Sequence, residues 1–287
     1  MKQAYLIIAH KDDFTFRTLI SMLDDENNDI FIHMDKKNKD YKENETIGII
    51  KKSKVYHTAR LSVAWGGYSL VNAEMLLLRK ATEVGHYNHY HLLSGQDLPI
   101  QTQKVIQDFF QENSDKEFVG FDKEVFTYGD RVYYRYIFQE LAGKNKILRK
   151  VDKALLSVQK MLRIRRNQNV RFQKGAQWFS ITDEFARYVL DKEEWVKKVF
   201  KDGFCVDELF LQTIMLNSSY MDRLYYSKAD KTHRNTMRFI DWSSGRPHVF
   251  SEDDFDILEK SELMFARKFD CNVDKHIIQK IYELYKD

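Results

Sequence analysis

The segment His91–Ile100, HLLSGQDLPI, constrains the fold of this 287-residue chain more than any other. Its apolar run stops abruptly at a turn that carries Ser94, Gly95 and Asp97. In open α/β folds, buried parallel strands end in this way at the carboxyl edge of the sheet, where ligands bind. The segment therefore predicts a strand that leads into a functional loop, although an ordinary turn between a strand and a helix would have the same form.

The first 110 residues alternate between short apolar runs and helical patterns. Strands are predicted at Tyr5–Ala9, Asp29–His33, Lys54–His57 and Tyr87–Leu93, and helices at Phe14–Leu23, Ser69–Thr82 and Thr102–Phe110. This alternation is typical of a mainly parallel central sheet flanked by helices, an α/β fold. Later segments predict a strand at Gly175–Ile181 and helices at Asp183–Leu190 and Asp207–Leu216. Because no linker is evident, we predict a single domain over residues 1–287.

Composition excludes several classes of protein. The chain is 43% hydrophobic and 31% charged, as expected for a globular protein with a sizeable core. A net charge of +3 is too small to indicate a nucleic-acid binder. Two cysteines do not make a disulfide framework, and no run approaches the roughly 20 apolar residues of a membrane helix. The first apolar run is too short for a secretion signal, so we expect a cytoplasmic protein.

The segment 142–166 is rich in lysine and arginine, and its apolar residues recur at helical spacing. One interpretation is a helix with an ordinary solvated face. The other is a basic amphipathic helix that contacts anionic lipid headgroups or a lipid-linked substrate, which would place the protein at the inner face of a membrane.

Familiar cofactor and nucleophile motifs are absent from the sequence. It contains no GxGxxG motif, P-loop, GxSxG motif or zinc-spaced His/Cys cluster. His89 and His91 fall on one face of a predicted strand, which favours a buried pair over a metal site. The one Asp-x-Asp motif, Asp254–Asp256, comes late and in a predicted helix. If the chain uses a nucleotide-sugar, lysine or arginine must therefore neutralise the diphosphate in place of a metal.

Seven segments, in the same order along the chain, resemble the core-2/I-branching β-1,6-N-acetylglucosaminyltransferases and the related peptide xylosyltransferases. They are Leu6–His10, Phe31–Asp35, Leu92–Ile100, Lys174–Thr182, Asp207–Glu208, Arg238–Trp242 and Leu263–Asp270. The resemblance implies a GT-A-like fold, inversion at the anomeric carbon and no metal or other cofactor. It also implies that residues 1–114 bind the nucleotide-sugar and that residues 115–287 bind the acceptor and carry the catalytic base.

The resemblance assigns roles by position. Glu208 falls on the catalytic base, and Lys268 falls on a lysine that contacts the donor diphosphate. Arg246 is the expected second cation, with Arg234 and Arg238 as alternatives because the local match is loose. Four further residues are expected to bind the donor: His10, Asp35, Ser94 and Asp97. Three are expected to bind the acceptor: Arg131, Trp178 and Trp242.

Relative to the animal family, we expect this chain to lack the membrane anchor, the stem and the disulfide cysteines. We therefore expect a bacterial homologue in capsule or polysaccharide synthesis. It would move a sugar, N-acetylglucosamine first among the candidates, from a UDP-sugar to a hydroxyl group of a glycan that is free or lipid-linked. Xylose, glucose and galactose stay open as donor sugars, and so does the oligomeric state.

Three other functions compete with a transferase. A non-catalytic UDP-sugar- or glycan-binding protein would have the same fold without turnover. A membrane- or anion-binding protein would act through residues 142–166. A glycoside hydrolase would need Asp207 and Glu208 to flank one bond, but neighbouring helical residues project about 100° apart, which disfavours it.

Overall fold

The computed structural model describes residues 1–122, 125–142, 145–226 and 233–286. Its strands, in chain order, are β1 (Gln3–Ala9), β2 (Asn28–Met34), β3 (Lys54–His57), β4 (His89–Ser94), β5 (Asp97–Pro99), β6 (Phe118–Val119), β7 (Phe179–Thr182), β8 (Arg238–Ile240) and β9 (Phe265–Arg267). Its α-helices are α1 (Phe14–Met22), α2 (Glu43–Ile47), α3 (Tyr68–Val84), α4 (Gln103–Glu112), α5 (Asp130–Tyr133), α6 (Gln139–Ala142), α7 (Lys146–Met161), α8 (Asp183–Asp191), α9 (Glu193–Phe200), α10 (Phe210–Leu216), α11 (Phe255–Glu259) and α12 (His276–Tyr285).

Six strands form the central sheet in the order β3-β2-β1-β4-β7-β6. The first four are parallel to one another, β7 pairs antiparallel with β4, and β6 pairs antiparallel with β7. The predicted α/β fold, with a mainly parallel central sheet flanked by helices, is confirmed. Both predicted halves of the chain contribute strands to this sheet.

The central strand β1 is buried on both faces, as its nearly continuous apolar sequence predicts. Ala4 and Leu6 pack into one core with residues of α3, α8 and α10. Tyr5 and Ile7 point to the opposite face and pack with residues of α1, α4 and α12. Helix α1 starts at Phe14, as predicted, and Asp13 caps it by accepting a hydrogen bond from the N–H of Phe16.

A smaller sheet, β5-β9-β8, packs beside the first and is joined to it by Arg238. This side chain is 1% exposed, and its guanidinium donates to the carbonyl oxygens of Leu92 and Phe179. Burial lowers the pKa of Arg238 to about 9. Arg238, an alternative donor-binding cation, is thus wrong for that role because its guanidinium is buried between the two sheets, out of reach of a ligand.

Two predicted elements were wrong in part. The strand predicted at Gly175–Ile181 begins only at Phe179, because the preceding residues cross the functional site instead of joining the sheet. The helix predicted at Asp207–Leu216 is a 3₁₀ turn, Val206–Glu208, followed by α10, with a break at Leu209.

The histidines of β4 form the buried pair that their spacing predicts. The rings of His89 and His91 stack with centroids 6.0 Å apart, and both side chains are fully buried. Burial lowers the pKa of His89 to about 4, which keeps this ring neutral. The pair therefore belongs to the core of the sheet.

The basic segment is helical over α7, a shorter span than the predicted 142–166. Residues 143 and 144 lie outside the described residues. Across the described ranges, no helix combines the length and the apolar character needed to cross a bilayer.

Candidate active site

A cleft of about 750 Å³ opens at the carboxyl ends of β1 and β2. The strand ends are tied together where the N–H of Asp35 donates to the carbonyl oxygen of Ala9 at 2.8 Å. This edge of a parallel sheet is where open α/β folds bind ligands. The side chains that line the cleft are mostly charged or polar: His10, Lys11, Asp12, Asp13, Asp35, Lys37, Asn38 and Asn272.

The Asp35 carboxylate is buried at the cleft wall and held in place by its neighbours. Its Oδ1 accepts a hydrogen bond from the N–H of Lys37 at 2.8 Å, and its Oδ2 lies 3.3 Å from the Lys37 ammonium. Arg60 donates to the carbonyl oxygens of Met34 and Asp35 from behind. These contacts make the end of β2 a rigid element of the cleft.

Lys268 follows β9 and contributes positive charge close to the cleft. Burial, followed by the charge of the adjacent Arg267, lowers the pKa of Lys268. Partial desolvation, followed by the charges of Lys11 and Lys268, lowers the pKa of His10. The predicted donor-binding residues His10 and Lys268 therefore lie near one another. In the described part of the chain, no carboxylate lies within ion-pairing distance of Lys268.

Ser94 and Asp97 hold Arg267. Asp97 is 2% exposed, and its Oδ1 lies 2.7 Å from Nη1 of Arg267, which also donates to the Ser94 hydroxyl. The guanidinium lies over the ring of Trp178, 4.3 Å from the centroid. Both carboxylate oxygens of Asp97 are occupied, since the N–H and hydroxyl of Ser94 also donate to them. Asp97 and Trp178 therefore act on Arg267 from within the protein.

Arg246 and Trp242 lie on the loop that follows β8. The base of this loop is fixed to the donor side, because the N–H of Lys268 donates to the carbonyl oxygen of His248 at 3.2 Å. Both side chains are exposed, Trp242 by 49%. Neither side chain makes a hydrogen bond or ring contact with any other residue that the structure describes. The alternative cation Arg234 is exposed and pairs with Glu262 at 3.2 Å.

Glu208 ends the 3₁₀ turn with its carboxylate between two cations. Its Oε2 accepts a hydrogen bond from Nη1 of Arg131 at 2.7 Å and lies 3.3 Å from Nζ of Lys174. Lys174 also pairs with Asp122. Burial alone would lower the pKa of Arg131 and of Lys174, but their contacts with carboxylates outweigh it, and both pKa values are raised. The hydrogen bond from Arg131 and the ion pair with Lys174 thus set the orientation of Glu208.

The segment Lys174–Trp178 connects the carboxylate to the donor side. Lys174 contacts Glu208, and the N–H of Gly175 donates to the Glu208 carbonyl oxygen at 3.0 Å. Gln177 donates to Glu74 at 2.9 Å, and Trp178 supports Arg267. The segment therefore contacts Glu208 at one end and Arg267 at the other.

Two buried carboxyl groups lie behind Glu208. Asp207 is buried, and desolvation, followed by the charge of Glu208, raises its pKa to about 7. Glu74, on α3, is fully buried, and desolvation, followed by the charge of Asp207, raises its pKa well above the usual range. Asp207 Oδ1 and Glu74 Oε2 accept no hydrogen bond from the described residues. The acids adjacent in sequence, Asp207 and Glu208, thus occupy opposite environments.

The one described group that could share a metal ion lies at the cleft edge. Ligand atoms of Asp13, Asp270 and Cys271 lie within 4.8 Å of one another. Asp13 is already the cap of α1, and Asp270 accepts from Asn272 and lies 3.5 Å from the Lys11 ammonium. The donor set is therefore committed to local structure, and metal independence stays a prediction.

Residues 3–263 match the Core-2/I-Branching enzyme family. The chain belongs to this family. The predicted family and the predicted class of enzyme, a glycosyltransferase, are confirmed at that level, and the GT-A-like fold predicted with them is in keeping with the observed sheet.

The relatives of this chain bear the name xylosyltransferase. Xylosyltransferase sqv-6 of Caenorhabditis briggsae is 26% identical over 87% of the chain and 32% of its own length. Human xylosyltransferase 2 is 23% identical over 98% of the chain and 33% of its own length. The chain thus spans about a third of these relatives. The structure of mouse xyloside xylosyltransferase 1 in its apo form aligns over 95% of the chain and 99% of its own, at 9% identity and a TM-score of 0.37.

Some residues of the site had no role assigned from the sequence. Lys174 contacts Glu208, Asp122 pairs with Lys174, and Glu74 lies behind Glu208. Lys174 opens one of the seven matching segments, so that signal was present. Glu74 lies inside an amphipathic helix among apolar residues, where a glutamate gives no such signal.

Proposed function

We propose that this chain is an inverting, metal-independent glycosyltransferase that moves a sugar from a UDP-sugar to a hydroxyl group of a glycan. The acceptor oxygen would attack the anomeric carbon while its proton passes to Glu208. The bond from that carbon to the UDP oxygen would break, and UDP would leave with the electron pair. One such displacement inverts the anomeric centre.

The single observation that supports this proposal most is the geometry of Glu208. Its side chain is 31% exposed, so an acceptor can reach it, and Arg131 and Lys174 hold only its Oε2. No residue in the described ranges donates to Oε1, which leaves this oxygen available to a substrate hydroxyl. An oriented, accessible carboxylate is what a general base requires.

Cations on the donor side support a reaction without metal. Lys268 has no carboxylate partner in the described ranges, and the Arg246 side chain is exposed on a loop tied to it. Positive charge placed where a leaving group gains negative charge stabilises the transition state by about 3 kcal/mol per contact. Lys268 and Arg246 would act on the diphosphate, with His10 and Asp35 beside the nucleotide.

The finer parts of the proposal are the donor, the acceptor and the place in the cell. We propose N-acetylglucosamine as the transferred sugar, with xylose as its competitor because the relatives are named xylosyltransferases. Trp242 and Arg131 would contact the acceptor, a bacterial polysaccharide intermediate on a lipid carrier. The reaction would take place in the cytoplasm, at the inner face of the membrane.

Thermal unfolding in EDTA tests the donor site. We expect UDP and one UDP-sugar to raise the melting temperature, since a ligand that binds only the folded state stabilises it by about 2.7 kcal/mol at a hundred times its Kd. GDP is the matched control for recognition of the nucleobase. The same series with Mn²⁺ tests metal independence. A shift that requires Mn²⁺ would contradict the metal-free donor site, and no shift under either condition would contradict UDP-sugar binding.

The alternative is a non-catalytic UDP-sugar- or glycan-binding protein. The buried positioning of Trp178 and Asp97 around Arg267 suits a binding site as well as a catalytic one. Single-turnover assays with the stabilising UDP-sugar and a panel of glycans separate the two. Binding without transfer or hydrolysis would favour the alternative.

A further inference from the structure

The outward face of α7 carries an apolar stripe formed by Ile147, Val151, Ala154, Val158 and Met161. These residues recur at intervals of four and three, which aligns them along one side of a helix. Ile147 and Met161 are 72% and 75% exposed, and Val151 and Val158 are 37% and 45% exposed. Exposed apolar residues scattered singly are ordinary, but a continuous helical stripe indicates a surface that becomes covered.

Positive charge lies along one edge of this stripe. At 100° per residue, the cations of α7 all project to the same side of it: Lys146, Arg149, Lys150, Lys153 and Lys160. The only acid in the helix, Asp152, is 4% exposed and turned inward, where it accepts a hydrogen bond from the N–H of Phe138. The accessible face of α7 is therefore apolar on one side and basic on the other, where Lys160 alone among the lysines of the helix pairs with a described acid, Asp130.

We propose that α7 docks in the plane of an anionic phospholipid surface, with the apolar stripe in the acyl boundary and the lysines among the headgroups. A helix with one apolar and one basic face binds in this way, and each cation near an anionic surface adds to the attraction. Charge complementarity favours lipid over a second copy of the chain, because a second copy would bring the same cations to the interface.

The docked helix would carry the acceptor side of the site with it. Gln159 exchanges two hydrogen bonds with the backbone of Arg135, at 2.9 and 3.0 Å. Lys160 pairs with Asp130, at the start of α5, and the next residue, Arg131, holds Glu208. An acceptor held by its lipid in that surface would meet Glu208; this consequence rests on the proposed function, whereas the docking does not.

Vesicle co-sedimentation of the full chain tests the docking. We expect pelleting with phosphatidylglycerol vesicles and none with phosphatidylcholine vesicles, with binding lost at 1 M salt, where the screening length is about 3 Å. The double variant Ile147→Gln/Val158→Gln should weaken binding by about tenfold or more. Its matched control, Val105→Gln/Ile257→Gln, changes residues 44% and 55% exposed on α4 and α11 and should bind normally.

A charge pair completes the design. Lys150→Gln/Lys153→Gln should lose binding at low salt, whereas Lys51→Gln/Lys52→Gln, which removes the same charge from another exposed segment, should not. Equal binding to both kinds of vesicle, or equal loss in test and control variants, would overturn the proposal. So would concentration-dependent dimers without vesicles that disappear in the Ile147→Gln/Val158→Gln variant, since the stripe would then join two copies.

The UDP-induced rise in melting temperature, measured without vesicles on the same variants, separates the two proposals. If docking fails and UDP still stabilises the chain, only the membrane surface is wrong. If docking succeeds and UDP has no effect, only the transferase proposal is wrong.

Discussion

Arg267 lies over the indole of Trp178, with its guanidinium carbon 4.3 Å from the ring centroid. The ring was predicted to contact the acceptor, but its exposed fraction is only 8% and a cation covers its face. Its visible effect is to hold Arg267 beside Lys268.

Because cation–π contacts contribute about 0.5–2 kcal/mol, Trp178→Leu should weaken UDP binding roughly 2- to 30-fold. Calorimetric titration measures this, and Trp178→Phe, which keeps an aromatic face, should restore most of the affinity; equal loss in both variants would contradict the contact.

Glu208→Gln keeps the shape of the side chain and removes the base. Loss of a general base typically slows turnover by about 10²–10⁴-fold, so kcat should fall by that factor while UDP still raises the melting temperature. The measurement is steady-state transfer at saturating donor. Glu83→Gln makes the same change at an exposed position of α3 and should leave kcat unchanged. Turnover of the Glu208 variant within a factor of three of the unmodified enzyme would rule this residue out as the base.

Lys268→Met removes a charge beside the predicted diphosphate site and retains a side chain of similar length. The loss should be on the order of 3 kcal/mol in the transition state, about a hundredfold in kcat/KM. Lys260→Met, at an exposed position after α11, is the matched control. If both variants have the same kcat/KM, the diphosphate is neutralised elsewhere.

Gly175 packs against the backbone of Gly120. A Cβ at position 175 would lie 1.6 Å from the Gly120 carbonyl oxygen, a distance that no side-chain adjustment can relieve. Gly175→Ala should therefore lower the free energy of unfolding by about 3 kcal/mol or more and displace the backbone that contacts Glu208. Urea denaturation measures the change. Gly85→Ala is the control, since its added Cβ would meet no atom closer than 3.9 Å; comparable stability of the two variants would refute the close approach.

Asp207 should make stability fall as pH rises. Its pKa is raised from an ordinary 3.8 to about 7, so the folded state holds a proton that the unfolded state releases. This stabilisation is present below about pH 4 and is lost as pH rises through about 7. Asp207→Asn should remove that pH dependence. The stability of the variant minus that of the unmodified chain should therefore be larger at pH 8 than at pH 5.

Melting temperatures at the two pH values check this prediction. Asp253→Asn, an exposed acid, should change nothing between them. If the difference between Asp207→Asn and the unmodified chain is the same at both pH values, Asp207 does not titrate in this range.

Local sequence patterns determined the sheet and its flanking helices. The segments at β1, β2 and β4 contain apolar runs because these strands are buried on both faces, and Asp13 and Thr102 cap the helices that start after them. The turn after β4 was also predictable, because Ser94 and Asp97 close it through hydrogen bonds three residues apart. The seven matching segments and their order along the chain were enough to identify the family.

Only the tertiary structure decided what the polar side chains contact. Arg238 was a candidate ligand by sequence, and long-range packing buried it between two sheets. Arg131 and Lys174 lie 77 and 34 residues from Glu208 along the chain, and only the folded chain brings them to the same carboxylate oxygen. The spacing of apolar residues predicts which face of a segment is buried. The partner of a charged side chain depends instead on distances between segments that are far apart in the sequence, and a local pattern contains no information on those distances.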